Sequence, residues 1–178
     1  MKAEIQIVRP KELNGRLLAE LEDATEAAIA DGGGFGWLKS PPRQVQEAYW
    51  RGVLLVPERT LFLGLLDEVV AGSAQLARPT RQNEAGTASC LLTTFFVAPW
   101  ARGHGLARAL VQAVEDAARE DSFEILNLDV RETQEAAIAL YESMGFERWG
   151  TQPRYAKVKG AWIAGHFFAK VLRETEAT

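Results

Sequence analysis

The stretch that decides the fold runs from residue 93 to residue 111 and reads TTFFVAPWARGHGLARALV. It predicts a buried strand, a glycine turn and the start of a helix, because apolar segments flank Gly103 and Gly105. Glycines let a backbone approach a ligand closely, and the first turn of a helix presents unpaired N–H groups at the positive end of its dipole. The stretch is therefore predicted to bind an anion, and such a turn suits a phosphorylated cofactor.

Length, composition and charge restrict the kind of protein. The chain has 178 residues, a mass of 19.6 kDa and 47% hydrophobic residues, which predicts one compact domain over residues 1–178. A net charge of −4 gives no electrostatic support for nucleic acid or an anionic membrane as a partner. Cys90 is the single cysteine, which excludes an internal disulfide. No apolar run approaches the roughly 20 residues that span a bilayer, so we expect a soluble, cytoplasmic protein.

Hydrophobic periodicity and turn residues predict the elements before the glycine turn. Asp67 and Glu68 separate two apolar segments by the length of a tight hairpin turn. Tyr49 and Trp50 are interpreted as anchors that attach their helix to the core. In order, the predicted elements are a strand at 4–8, a helix after Pro10, a glycine-rich loop at 31–37, a helix from Pro41 to Val53, strands at 60–66 and 69–76, a polar loop at 78–86 and a strand at 87–97.

The second half of the chain alternates helices and strands. An apolar stripe predicts a helix over residues 106–120, and alternating residues predict a strand over 123–130. Thr133 is expected to cap the next helix, which Gly145 ends. A polar loop at 150–160 and a last strand at 161–172 complete the chain, so the pattern predicts a mixed sheet with helices packed on it.

Two motifs in this order resemble those of the GCN5-related N-acetyltransferase (GNAT) superfamily. The first is Arg102-x-x-Gly105-x-Ala107, which resembles the family's acyl-CoA pyrophosphate loop. The second is the segment NLDVRETQEAAIALYESMGF at 127–146, which ends in a Leu-Tyr-x-x-x-Gly-Phe signature and resembles the strand and helix beside the pantetheine arm. The resemblance covers residues 60–150 well. It implies the α/β (α+β) GNAT fold, a mixed, mostly antiparallel central sheet of about six or seven strands flanked by about four helices.

A narrower likeness points to the tabtoxin-resistance branch of acetyltransferases. It rests on the glycine-rich loop at 31–36, the segment GSAQL at 72–76, the Leu128-Asp129 pair and the Pro153-x-Tyr155 loop. This likeness implies a small amine as the substrate.

The resemblance implies acetyl-CoA as a co-substrate and involves no metal. Successive N–H groups of the turn would wrap the pyrophosphate, with a contact from the Arg102 side chain. The alternative is a plain strand-to-helix turn, and His104 is expected to face solvent or lie near phosphate. The residues expected to bind the cofactor are Phe96 and Val97 through their backbone, then Arg102, Gly103, His104, Gly105, Leu106, Ala107, Gln134, Ala137 and Tyr141.

Acyl transfer to an amine also requires an acid and a base. Tyr141 matches the family's usual general acid, and the alternative is a core tyrosine. The family's glutamate base has no counterpart, because Leu91 stands at that position. Asp129 is the best remaining carboxylate, although it could instead only order residues 131–134, and a water chain could replace a dedicated base.

Acceptor binding is expected from aromatic residues that border the cleft in this fold. These are Phe35 and Trp37 on the glycine-rich loop and Tyr155, with Arg154 beside it, while Asp129 would face the amine. Loop aromatics can equally serve as packing.

The leading hypothesis is an N-acetyltransferase that transfers an acetyl group from acetyl-CoA to a primary amine of a small molecule. Two alternatives remain open, a protein or peptide amine acetyltransferase and a non-catalytic acyl-CoA-binding module. A homodimer is also an open expectation, because exposed strand edges and five tryptophans offer surface for association.

Overall fold

A computed structural model describes residues 3–33 and 36–173 of the chain. In this part the strands form one seven-stranded sheet in the order β1-β2-β3-β4-β5-β7-β6. The strands are β1 (Ile5–Val8), β2 (Arg59–Leu66), β3 (Val69–Ala77), β4 (Ser89–Val97), β5 (Ile125–Arg131), β6 (Glu147–Val158) and β7 (Ala161–Val171). The helices are α1 (Gly15–Ala30), α2 (Arg43–Val53), α3 (Leu106–Glu120) and α4 (Glu135–Ser143).

Strand directions confirm the predicted mixed sheet. β4 and β5 run parallel, and the other neighbouring strands pair antiparallel. The predicted tight turn joins β2 to β3, with Asp67 and Glu68 both at positive φ, as a type I′ turn requires. The predicted helices and the strand before the glycine turn are also confirmed.

Two hydrophobic cores cover the two faces of the sheet. Helices α3 and α4 pack on one face, and α1 and α2 pack on the other. β2 and β3 are therefore buried on both sides over most of their length, and Trp50 is completely buried, as predicted. A Cβ atom on Gly64 would lie 2.9 Å from Leu106 Cδ1, so this glycine lets α3 lie directly on the sheet.

Two predicted boundaries are wrong for identifiable reasons. The polar loop expected at 150–160 is mostly strand, because β6 extends to Val158 and pairs with β7 at the edge of the sheet, where its side chains face solvent. Thr133 does not cap α4, since Gln134 occupies the N-cap position and makes no side-chain capping bond.

The first helix starts at Gly15, because the Asn14 side chain accepts a hydrogen bond from the Leu17 N–H at 2.9 Å. None of the described helices is long and apolar enough to cross a membrane.

A buried carboxylate attaches α3 to β7. Glu115 is 3% exposed, and its carboxylate accepts hydrogen bonds from Lys170 Nζ at 2.8 Å and from Arg119 Nη2 at 2.8 Å. Burial is the largest single influence on Glu115 and by itself would raise its pKa. The two cations together outweigh burial and hold the pKa of Glu115 below its ordinary value of 4.5.

We predict that Glu115→Gln lowers the free energy of unfolding by about 2 kcal/mol at neutral pH, because Lys170 loses a charged partner inside the protein. A depressed pKa stabilises the fold above the ordinary value of 4.5 and ceases to do so as the pH falls through the folded pKa. The difference from wild type should therefore shrink near pH 3, as urea unfolding at both pH values would measure. Glu120→Gln on the exposed end of α3 is the control, and a pH-independent difference for Glu115→Gln would contradict this account.

Candidate active site

The site begins where two parallel strands separate. β4 and β5 pair over three positions, from Ser89 opposite Ile125 to Leu91 opposite Asn127. Beyond that point β5 continues to pair with β7 as far as Arg131, whereas β4 stays with β3. A gap therefore opens in the middle of the sheet.

A bulge in β4 accompanies the gap. Gln75 pairs with Thr93 and Ser73 pairs with Phe96, so between these two pairs β4 contains one residue more than β3. Thr94 takes up the difference at a φ of 49°, which is rare for a β-branched residue. Such strain persists only where the surrounding structure enforces it.

Buried polar groups hold the bulge in place. Ser73 Oγ donates to the Thr94 carbonyl at 3.3 Å, and the Tyr49 hydroxyl lies 3.3 Å from Thr94 Oγ1. Gln75 Nε2 donates to the Tyr49 hydroxyl at 3.2 Å and its carbonyl accepts from Arg59 at 2.7 Å. Sequence reasoning interpreted Tyr49 only as a core anchor, because its contact with the bulge arises from tertiary packing of α2.

A cavity of about 460 Å³ lies on one side of the gap, between β4, the glycine turn and α4. Gly103 and Gly105 have φ values of 81° and 89°, and among the described residues, the chain neighbours apart, none comes within 4 Å of a Cβ built on Gly103. In the described part of the chain, no main-chain N–H of residues 103–107 donates to a protein acceptor. These donors stand at the N-terminus of the 15-residue helix α3, so the turn is built to receive an anion.

A second cavity of about 810 Å³ lies on the other side, between β4, β5, the glycine-rich loop and the β6–β7 hairpin. The two cavities share the lining residues Phe95, Gln134 and Ala137, so they meet at the gap. Two ligands, one in each cavity, would therefore have their ends next to each other at the gap.

Tyr141 reaches the larger cavity from α4. Its side chain is 3% exposed and packs against Phe95, Phe146 and Phe168. Burial and then the negative charge of Asp129 raise the pKa of Tyr141 above its ordinary value of 10.0. The phenol therefore carries its proton at neutral pH, and the raised pKa makes it a weaker acid than a free tyrosine.

Asp129 and Tyr155 form a hydrogen-bonded pair in the same cavity. The Tyr155 hydroxyl donates to Asp129 Oδ2. Burial, then this hydrogen bond and the carboxylate charge, raise the pKa of Tyr155 above 10.0. The Asp129 carboxylate, near the end of β5, thus contributes to the raised pKa of both Tyr141 and Tyr155.

The structure brings most of the predicted site residues together. The larger cavity is lined by Trp37, Asp129, Gln134, Ala137, Tyr141 and Tyr155, and the smaller one by Phe96, Val97, Arg102, Gly103, Gly105, Leu106, Ala107, Gln134 and Ala137. His104 and Arg154 are exposed and line neither cavity, and Phe35 lies outside the described residues. The Arg102 guanidinium pairs with Asp31 at 2.7 Å, and Gln134 Nε2 donates to the Gly32 carbonyl at 2.8 Å.

Sequence reasoning missed Tyr49, Thr93, Thr94 and Arg131, which also line the larger cavity. The strand predicted at 87–97 did not include the bulge at Thr94. Leu91, at the position of the family's glutamate, pairs with Asn127 at the last step before the gap.

Comparisons with known proteins show the family to which the chain belongs. Residues 17–146 match the profile of the Acetyltransferase (GNAT) family. An uncharacterized N-acetyltransferase from the hisH-hisA intergenic region of Azospirillum brasilense is 61% identical over 117 residues, which are 66% of this chain and 70% of that protein. The chain therefore belongs to the GNAT family of acetyltransferases, as its sequence predicted.

Solved structures share the fold at low sequence identity. YncA, a putative acetyltransferase from Salmonella typhimurium solved with its cofactor acetyl-CoA, matches with a TM-score of 0.78 at 19% identity over 98% of both chains. A ribosomal-protein-alanine N-acetyltransferase from Brucella melitensis matches with a TM-score of 0.77 at 23% identity, over 93% of this chain and 99% of that one. The narrower likeness to the tabtoxin-resistance branch stays a prediction.

The influence of Asp129 on both phenols can be measured. We predict that Asp129→Asn moves the ionisation of Tyr141 and Tyr155 to lower pH, because the negative charge that opposes tyrosinate is removed. Both pKa values should stay above 10.0, since burial remains. Ultraviolet absorbance of tyrosinate during an alkaline titration reports the change. Asp116→Asn, on the exposed face of α3, is the control, and an unchanged titration of Asp129→Asn would refute the coupling.

Proposed function

We propose that the chain transfers an acetyl group from acetyl-CoA to a primary amine of a small molecule. The observation that carries the proposal is the meeting of two cavities at the gap between β4 and β5, one built for an anion and one holding a carboxylate and two phenols. A donor thioester and an acceptor amine placed in the two cavities would meet there, and such positioning is a large part of catalysis.

The turn at 103–107 suits the diphosphate of coenzyme A. Its N–H groups need acceptors, and its positive-φ glycines leave the backbone open to a close approach. The Arg102–Asp31 pair is about half exposed on both sides, so separating it costs little and leaves Arg102 able to contact phosphate. The cavity of about 460 Å³ continues from this turn along α4 to the gap, as a long pantetheine arm requires.

The thioester carbonyl would be polarised by the backbone of β4. Beyond the pair of Leu91 and Asn127, β4 and β5 no longer pair, so one edge of β4 faces the gap. A main-chain N–H of β4 that faces the gap, near Val97, would donate to the carbonyl oxygen, which gains negative charge as the amine attacks. The side chain of Phe96 is buried in the opposite core and serves as packing.

Asp129 and Tyr141 would carry the two proton transfers. Asp129, directly or through water, accepts a proton from the substrate ammonium. The amine nitrogen then forms a bond to the carbonyl carbon and releases its second proton to water, and the carbon–sulfur bond breaks. Tyr141 donates its phenolic proton to the departing sulfur and is reprotonated from solvent, which its raised pKa favours.

The acceptor is proposed to be small because the larger cavity, at about 810 Å³, falls in the range of small-molecule sites. Trp37 and Tyr155 would contact its body. A protein amine is the second candidate, since the structural relative from Brucella melitensis is a ribosomal-protein-alanine N-acetyltransferase. A single domain over residues 1–178 and a cytoplasmic location stay part of this proposal.

A thiol-release assay with acetyl-CoA tests the function against a panel of small primary amines and a panel of peptides with free N-termini. Release with small amines supports the proposal, release with peptides alone supports the second candidate, and coenzyme A binding without release would identify a binding module.

We predict that Tyr141→Phe lowers kcat about a hundredfold, because the leaving sulfur loses its proton donor. Packing should be retained, so the melting temperature is the control, and an unchanged kcat would exclude Tyr141 as the acid.

The glycine turn allows a matched test of cofactor binding. We predict that Gly103→Ala weakens coenzyme A binding about tenfold, because an L-residue resists a φ of 81° and rotates the N–H groups away from the diphosphate. Gly160→Ala is the control, since Gly160 has a φ of 83° and equally open surroundings in the turn between β6 and β7. Calorimetry should show a loss for Gly103→Ala alone, and equal affinities in the two variants would contradict the assignment of the turn.

A further inference from the structure

Tyr155 reaches the acceptor cavity through an irregularity in β6. Gln152 pairs with Gly165 and Ala156 pairs with Ile163, so residues 153–155 stand opposite a single residue of β7. The extra residues let Tyr155 turn its ring over the hairpin and towards β5. There its hydroxyl donates to Asp129, and its ring meets Phe167 edge-on at a centroid distance of 6.0 Å.

The ring occupies the space that a side chain on Gly165 would need. A Cβ on Gly165 would lie 2.1 Å from Tyr155 Cγ and 2.4 Å from Cδ2, where no real Cβ contact is found. These are the ring atoms nearest the Tyr155 backbone, so a small rotation of the ring cannot relieve the clash. Gly165 is not at a positive φ, so it is the contact with the ring, rather than backbone conformation, that requires glycine.

The position of Gly165 explains why this contact matters for Asp129. Gly165 pairs with Arg131 and Phe167 pairs with Asp129 on the neighbouring strand β5. A ring lying over Gly165 is therefore two residues along the strands from the carboxylate that its hydroxyl contacts. If the ring moves, the hydroxyl leaves Asp129.

We propose that Gly165 is a positioning residue for the acceptor amine, which acts by seating the Tyr155 ring so that its hydroxyl holds the Asp129 carboxylate in one orientation. The role in acceptor binding rests on the proposed function. A carboxylate held through one oxygen presents the other at a defined place, which favours capture of an ammonium group. Gly165 itself need not contact the substrate.

The test compares Gly165→Ala with Gly150→Ala, a control on the same hairpin where a Cβ would meet no described residue within 4 Å apart from its chain neighbours. With acetyl-CoA saturating, Gly165→Ala should raise the KM for the amine about tenfold, as expected for loss of a charge-assisted hydrogen bond in the site. The KM for acetyl-CoA should stay within twofold of wild type. An unchanged amine KM, or an equal rise in both KM values, would overturn the proposal.

A double-variant cycle shows whether Gly165 acts through Tyr155. Tyr155→Ala vacates the space over Gly165, so adding Gly165→Ala to it should change neither the amine KM nor the melting temperature further. This comparison also decides the case in which Gly165→Ala alone does not fold, because the double variant should then fold as Tyr155→Ala does. Independent losses that add in the double variant would overturn the proposal.

A readout without turnover separates this inference from the proposed function. Gly165→Ala should move a tyrosine ionisation to lower pH, because Tyr155 loses the Asp129 contact that raises its pKa, and Gly150→Ala should not. If wild type acetylates no amine but this shift appears, the proposed function fails and the seating of Tyr155 stands. If amines are acetylated and the shift is absent, the seating of Tyr155 is refuted.

Discussion

The parting of β4 from β5 after three paired positions is the constraint on which the rest of the site depends. A continuous parallel pair would satisfy its main-chain groups and leave no passage through the sheet. Thr94 lies beside this separation in a left-handed conformation, and hydrogen bonds with Ser73 and Tyr49 hold it there. Local strain in β4 thus accompanies the gap that connects the two cavities.

Helix α3 has two electrostatic features, a neutralised carboxylate on its buried face and a group of N–H donors at its N-terminus. Beneath the helix, Glu115 is neutralised by Lys170 and Arg119, so its burial is stabilising only as part of that group. At the start of the same helix, the N–H groups of residues 103–107 have no acceptor among residues 3–33 and 36–173. An anion bound there would accept hydrogen bonds from these N–H groups, so the turn is suited to anchor a phosphorylated donor.

Short sequence patterns were enough to predict much of the fold and part of the site. The glycine turn, helix α3 and the tight turn at Asp67 and Glu68 follow from periodicity and backbone requirements that short segments display. β6 was mistaken for a loop because an edge strand with exposed side chains and Pro153 lacks hydrophobic alternation. The roles of Tyr49 and Thr94 escaped prediction because they arise only when α2 packs against the bulge in β4. The family motifs indicated Tyr141 and the turn, but no motif could show that Tyr155 contacts Asp129.

The most direct test of the central claim maps coenzyme A onto the backbone by nuclear magnetic resonance of ¹⁵N-labelled protein. The account predicts that saturation with coenzyme A moves the amide resonances of residues 103–107 and those of the β4 segment at 95–97 and slows their hydrogen exchange. Binding that leaves both sets of amides unchanged, or no binding at all to the folded protein, would contradict it.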